Sequence, residues 1–283
     1  MAHELRFRIV NVFAETPLGG NPLCVFEEGS ALDTETMQAL ALQFNLSETT
    51  FLLPPARPEA TRRVRIFTPG FEMPFAGHPT LGSAHVVRSL SGCGDRVALE
   101  MQAGVIPVAA QGERWTLQAN EPTWRDAGLS RSQLAGILGI DASDVRDGAA
   151  WVDTGSEQLI VPLASSDAVQ RCRPNVERLV NECVGNRRRG LAYVWAREDA
   201  NRIRVRFFFE KQGGLTEDPG TGSACANLGG WFIAQGERLP LNAVVMQGDH
   251  LGRACRLGLR VDEEKRIFVS GRVIEIGRGV VAM

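Results

Sequence analysis

The sequence predicts an α+β chain of two pseudo-symmetric halves. Three observations predict it: a helix stripe, a strand and a glycine-rich turn each occur twice, in the same order, spaced by about 140 residues. At 283 residues the chain has room for two such units, each with a sizeable core and no need of disulfide staples.

The helices come first. Met37, Leu40, Ala41 and Phe44 fall at i, i+3, i+4 and i+7, which makes one buried stripe. Asp33 is placed to cap the start, and Asn45 to end the helix in a left-handed conformation. Val176, Leu179, Val180 and Cys183 repeat the spacing, with Pro174 opening that helix and Gly185 closing it. The strands follow. Arg63-Val64-Arg65-Ile66-Phe67 matches Arg204-Val205-Arg206-Phe207-Phe208, and charge alternating with β-branched or aromatic residues predicts one wet face. The turns are Glu72-Met73-Pro74-Phe75-Ala76-Gly77-His78 and Glu217-Asp218-Pro219-Gly220-Thr221-Gly222-Ser223. A short insertion near 211–215 accounts for their slightly wider spacing. Helix-compatible runs follow at 79–90 and 223–234. After them come short strand-like runs at 96–101, 105–109 and 115–118, then at 243–247, 255–261, 266–270 and 272–276. Pro122 disfavours a helix through 120–124, where the seam between the halves falls.

Composition narrows the function. Lys+Arg is 31 against Asp+Glu 33, a net charge of −2, which excludes a strongly basic nucleic-acid binder. Tyr193 is the only tyrosine, so an aromatic platform for single strands is not expected. No apolar run reaches about 18 residues, and the amino terminus lacks the charged-then-apolar layout of a secretory signal. The expectation is a cytoplasmic chain with no membrane span. The cysteines at 24, 93, 172, 183, 225 and 255 are scattered without Cys-x-x-Cys spacing, so reduced, buried thiols are expected.

The two glycine-rich turns carry the chemistry. Each ends a strand and opens a helix, and a helix start offers unpaired N–H groups and a positive dipole end to an anion. Gly77, Gly220 and Gly222 let a ligand approach the backbone. Read singly, each is compatible with an ordinary capped turn; as a matched pair they suit holding a carboxylate and stabilising an enolate-like intermediate. Gly220-Thr221-Gly222 lacks the further signals of a nucleotide site, so no nucleotide is expected. His78, at or near the helix N-cap, is suited to be a neutral proton shuttle. His85, seven residues on, reads as packing and not as a zinc ligand. Asp218 is either a turn carboxylate or an active-site one. Glu48 leaves a helix for an apolar strand, with Leu46, Thr50 and Leu52 alternating onto its face. A carboxylate there must be paired, exposed or raised in pKa, and a raised one carries protons well near neutral pH. Cys225 lies in the first turns of the second helix, where a thiol pKa is lowered, but His78 stands at the start of the matching helix and no second thiol answers it.

These residues resemble the phenazine-biosynthesis isomerase (PhzF-like) family, relatives of diaminopimelate epimerase. The resembling stretches are Val12-Phe13 with Gly20-Asn21-Pro22, Asn45-Leu46-Ser47-Glu48-Thr49-Thr50-Phe51, and Ile66-Phe67-Thr68-Pro69. They continue through Pro74-Phe75-Ala76-Gly77-His78-Pro79-Thr80, residues 217–224, Gln247-Gly248 with Gly252-Arg253, and Val269-Ser270-Gly271. The resemblance implies that each half is a mixed β-barrel-like sheet around a central helix, starting at Pro79 in one and at Ser223 in the other. It implies a first half of residues 1–121 joined by the C-terminal strand at 272–283, a second half of residues 122–271, and an active site in the cleft between them. It also implies a homodimer that uses no metal or organic cofactor and acts on a small carboxylate-bearing molecule. Glu48 matches the family's catalytic acid/base, and His78 and Asp218 match the pair that assists proton movement. Gly77, Gly222 and Ser223 match the donors around the substrate. The family's best-known reaction isomerises trans-2,3-dihydro-3-hydroxyanthranilate by abstraction and return of a proton. Two departures bear on the substrate: the residues after the second turn, and Gly252-Arg253-Ala254-Cys255 where the family usually has Gly-Arg-Pro-Ser. The other readings are a family member that binds a small carboxylate or a partner without turnover, and a thiol-based epimerase using Cys225. The intact Glu48, His78, Asp218 set favours an enzyme.

Overall fold

The structure, a computed structural model, describes residues 4–186, 190–211 and 213–283. Residues 1–3, at the amino terminus read above for a signal, and Gln212, inside the expected insertion, lie outside the described residues. The chain divides into two units: Met1–Gln118 with Ser270–Met283, and Ala119–Val269.

In chain order the elements up to residue 118 are β1 (Glu4–Val12), β2 (Asn21–Phe26), α1 (Thr34–Phe44), β3 (Glu48–Leu53), β4 (Arg62–Phe67), β5 (Glu72–Met73), α2 (Gly77–Ser91), β6 (Arg96–Met101), β7 (Gly104–Gln111) and β8 (Arg114–Gln118). Next are β9 (Thr123–Asp126), α3 (Arg131–Leu138), β10 (Ala150–Asp153), β11 (Glu157–Pro162), α4 (Ser166–Arg171), α5 (Val176–Glu182), β12 (Leu191–Arg197), β13 (Arg202–Lys211) and β14 (Gly214–Asp218). The last are α6 (Gly222–Ala234), β15 (Leu241–Gln247), β16 (Cys255–Val261) and β17 (Ile267–Ala282). The two runs expected at 266–270 and 272–276 are one strand, because Gly271 packs against Phe13 without breaking the alternation of buried residues.

In the first unit β1–β2 is antiparallel, β2–β3 parallel, β3–β4 antiparallel, β4–β6 parallel, and β6–β7 and β7–β8 antiparallel. β5 adds a short antiparallel partner to β4. β17 pairs with β1 and with β8, which closes an eight-strand barrel and leaves no sheet edge there. The second unit repeats the pattern. β10–β11 is antiparallel, β11–β12 parallel, β12–β13 and β13–β14 antiparallel, β13–β15 parallel and β15–β16 antiparallel, with β9 beside β10. This register makes β3, β4 and β5 equivalent to β12, β13 and β14.

Each sheet wraps a central helix. α2 is packed by β1, β2, β3, β6 and β8, and α6 by β9, β10, β11 and β16. An eight-strand barrel has little space inside, so these helices are rich in small residues. A Cβ on Gly82 would lie 2.6 Å from Leu23 Cδ2, and one on Gly229 would lie 2.9 Å from Ile267 Cγ2. α6 has no charged residue, as suits a helix apolar on every side. The helix starts lie slightly earlier than expected, at Gly77 and Gly222 instead of Pro79 and Ser223.

The outer faces are covered by the other helices. α1 packs on the first sheet over Phe26, Phe51 and Phe67, with Asp33 accepting from the Thr36 N–H and Asn45 at φ 49°. α3, α4 and α5 build the corresponding layer on the second sheet. α5 is only seven residues long; Leu179 and Cys183 are buried, but Val180 of the expected stripe is exposed. The paired strands carry a duplicated ion pair. Arg65 grips Glu72 through two bonds of 2.7 Å, and Arg206 grips Glu217 through bonds of 3.0 and 2.7 Å. Each guanidinium also lies over the ring two residues on, Phe67 or Phe208.

Candidate active site

In the first unit the structure brings Glu48 and His78 together. Glu48 opens β3 where the chain leaves α1 through left-handed Asn45. β3 is buried on both faces, because α1 covers one and α2 the other, so the simple alternation expected from Leu46 to Leu52 does not appear. His78 is the second residue of α2, inside the first turn and not at the cap, which is Ala76. Its Nε2 lies 3.3 Å from Glu48 Oε2, with side-chain exposures of 6% and 15%. Nδ1 lies 3.4 Å from Nδ2 of fully buried Asn21, and the ring also bonds the Pro22 backbone. Gly20 sets up this corner: it sits at φ 78°, and a Cβ there would lie 2.6 Å from the Val12 carbonyl oxygen.

Burial pushes the His78 pKa down to about 3, with the Pro22 bond opposing that shift. The ring is therefore neutral at ordinary pH. A proton arriving at the Glu48 carboxyl is therefore not opposed by a positive charge on the ring beside it.

In the second unit Asp218 ends β14, and the Thr221 hydroxyl donates to its Oδ2. Fully buried Gln247 fixes this turn: Nε2 donates to the Asp218 carbonyl at 2.8 Å and to Thr221 Oγ1 at 3.0 Å, and Oε1 accepts from the Thr221 N–H at 3.1 Å. Gly248 follows at φ 77°, where a Cβ would lie 2.4 Å from the Pro219 carbonyl oxygen. Gly222 is buried and begins α6, and half-buried Ser223 follows. Ser223 Oγ accepts from Gln158 Nε2 at 3.1 Å. The Gln158 carbonyl in turn accepts from Asn227, a fully buried polar residue in the otherwise apolar α6. Gln158, Asn227 and Thr221 had no assigned role in the sequence, and Gln247 appeared only as the end of a strand-like run and in a resembling stretch. The one available signal was an asparagine inside an uncharged helix.

Both helix starts share a feature. No side chain among the described residues caps α2 or α6, and the first intrahelical bonds are Thr80 N–H to Ala76 and Cys225 N–H to Thr221. The N–H groups of Gly77, His78, Gly222 and Ser223 precede those bonds, which leaves both starts suited to an anion.

The remaining candidates resolve differently. Cys225 is fully buried and its thiol is pushed well up by burial, which outweighs the helix-start effect and removes the basis for a thiolate mechanism. All six cysteines are free and five are buried, Cys93 being exposed. His85 packs edge-on to Trp115 at 6.4 Å. Among the described residues no group of three or more His, Cys, Asp or Glu side chains could hold a metal ion. None of the described helices is long and apolar enough to cross a membrane.

The family model for phenazine biosynthesis-like proteins (PhzC-PhzF) matches residues 10–279. An uncharacterized isomerase of Pasteurella multocida (strain Pm70) is 41% identical over 96% of this chain and 92% of its own length. The trans-2,3-dihydro-3-hydroxyanthranilate isomerase of Pseudomonas fluorescens is 32% identical over 97% of this chain and 98% of its own. The crystal structure of the Bacillus anthracis phenazine biosynthesis protein of the PhzF family superposes with a TM-score of 0.87. It covers 99% of this chain and 100% of that one, at 24% identity, and so confirms the fold.

Proposed function

This chain belongs to the phenazine biosynthesis-like (PhzC-PhzF) family and is an isomerase; we propose that it shifts a proton within a small carboxylate-bearing metabolite by general acid/base catalysis. The observation that carries the reading is the 3.3 Å approach of Glu48 to a His78 ring kept neutral by burial. Glu48 takes a proton from an activated C–H and returns it elsewhere on the same molecule, with no metal or organic cofactor. His78 orients Glu48 and relays the proton. Asp218 holds polar groups of the substrate. Gly77, Gly222 and Ser223 donate to its carboxylate from helix starts that no side chain caps.

Register supports a single acid/base. The position equivalent to Glu48 in the second unit is Leu191, and the position equivalent to Asp218 in the first is Met73. The scaffold is duplicated while its chemistry is not, as a one-carboxylate proton shift requires. Cyclohexadiene carboxylates of the trans-2,3-dihydro-3-hydroxyanthranilate type are the substrate class proposed, from the relative named above.

The test is NMR in D₂O with that compound, comparing wild type with Glu48→Gln. Consumption with deuterium incorporation by wild type alone is the expected result. Equal activity in the variant refutes the role of Glu48, and inactivity of both refutes the substrate class.

A further inference from the structure

We infer that Gln158 is a positioning residue that turns the Ser223 hydroxyl outward as a hydrogen-bond donor for the substrate carboxylate; this rests on the proposed placement of Ser223 at the substrate. Gln158 is 4% exposed and lies at the start of β11. Its amide orientation is set by Asn227. The Asn227 carbonyl accepts from the Thr154 N–H at 2.9 Å and the Thr154 hydroxyl at 2.7 Å. Its amide therefore faces the Val152 and Ser156 carbonyls, at 2.8 and 2.7 Å, and Gln158 Oε1.

With Oε1 accepting from Asn227, Gln158 has only its NH₂ to offer Ser223. Ser223 Oγ accepts that bond at 3.1 Å. A hydroxyl that accepts on one side directs its single proton to another acceptor. The chain Asn227, Gln158, Ser223 is thus directional, and it presents a donor beside the Gly222 and Ser223 N–H groups where an anion is favoured. A glutamate at 158 would reverse it, because a carboxylate accepts from both Asn227 and Ser223 and turns the hydroxyl proton inward.

The experiment measures steady-state turnover of trans-2,3-dihydro-3-hydroxyanthranilate, with calorimetric binding of anthranilate as a turnover-independent probe of the same ring carboxylate. Wild type, Gln158→Glu, Gln158→Met, Ser223→Ala and the Gln158→Glu/Ser223→Ala double variant are compared, each checked for an unchanged melting temperature. Gln158→Glu is expected to raise KM and the anthranilate Kd by about 10- to 100-fold, the worth of a hydrogen bond to a charged group, with kcat little changed. Gln158→Met, which leaves the hydroxyl free to rotate, is expected to cost less. In the Ser223→Ala background Gln158→Glu should add almost nothing. A wild-type KM and Kd in Gln158→Glu, or the same factor with and without Ser223, overturns the inference while the isomerase reading stands. A wild type that neither turns over the first compound nor binds the second overturns the inference together with the proposed substrate class.

Discussion

At the scale of single residues, the proposed site sets the Glu48 carboxylate beside a His78 ring held neutral by burial. Glu48→Gln keeps shape and removes the proposed base, so turnover is expected to fall by about 10² to 10⁴ in an isomerisation assay, with the circular dichroism spectrum unchanged. His78 makes a separate, thermodynamic prediction. An unfolded histidine titrates near 6.5, whereas the buried ring is held near 3. Between those values the unfolded chain binds the extra proton, so stability is intact above 6.5 and is lost as pH falls through the window toward 3. His78→Gln removes that loss. The difference in urea-unfolding free energy between wild type and variant should therefore move in the variant's favour between pH 7.5 and pH 5, and a constant difference would contradict the buried neutral ring. Glu48, His78 and Asp218 stood out in the sequence as candidates because each lies inside a stretch that resembles the family's. Gln158 did not, because its partner Asn227 is 69 positions away and nothing local marks a glutamine as the middle of a network.

At the scale of elements, the duplicated ion pair links each β-hairpin to the turn that follows it. Glu72 and Glu217 immediately precede Met73 and Asp218, so each pair anchors the strand from which the glycine-rich turn departs. The copies are not equally committed. The Arg206 and Glu217 side chains are 7% and 9% exposed, against 17% and 19% for Arg65 and Glu72. Arg206 also donates to the carbonyls of Val169, Gln170 and Cys172 at the end of α4. Arg206→Met is therefore expected to cost about 3–5 kcal/mol, the range for stranding one partner of a buried pair, and Arg65→Met distinctly less. Chemical denaturation of the two variants decides it, and equal losses would contradict the burial difference. The matching arginines and glutamates were visible in the sequence as repeats. That they grip each other was not, because the antiparallel pairings β4–β5 and β13–β14 set which side chains meet. The α5 stripe shows the converse: its spacing was helical, but the helix that forms is only seven residues long and Val180 is exposed on it.

At the scale of the whole molecule, β17 holds the first barrel closed. Its register with β1 runs from Glu4–Ala282 to Val12–Val273, and Val273 N–H bonds the Glu113 carbonyl of the β7–β8 turn. Truncation after Gly271 removes the whole β1 pairing and the Val273–Glu113 bond, and leaves β1 as an open edge. The truncated chain is expected to lose cooperative unfolding of the first unit and to aggregate, as read by urea denaturation and light scattering. Full-length stability in that chain would contradict closure by β17. The closing strand is far from its partners in sequence, so only the resemblance, and no local pattern, pointed to its return.

What the sequence determined by itself is what acts over a few residues: the α1 stripe with its Asp33 cap and Asn45 stop, the alternating strands, and the twice-written turns. These follow from helix and strand periodicity and from backbone sterics, which need no distant partner. The tertiary structure alone decided which groups meet. Parallel pairing of β2 with β3 carries Glu48 to the level of Leu23, and the small residues of α2 let that helix fill the barrel so that His78 comes within 3.3 Å of it. Contacts of that kind depend on register and on the close approach of packed elements, which are properties of the assembled sheet and helix and not of any segment within them.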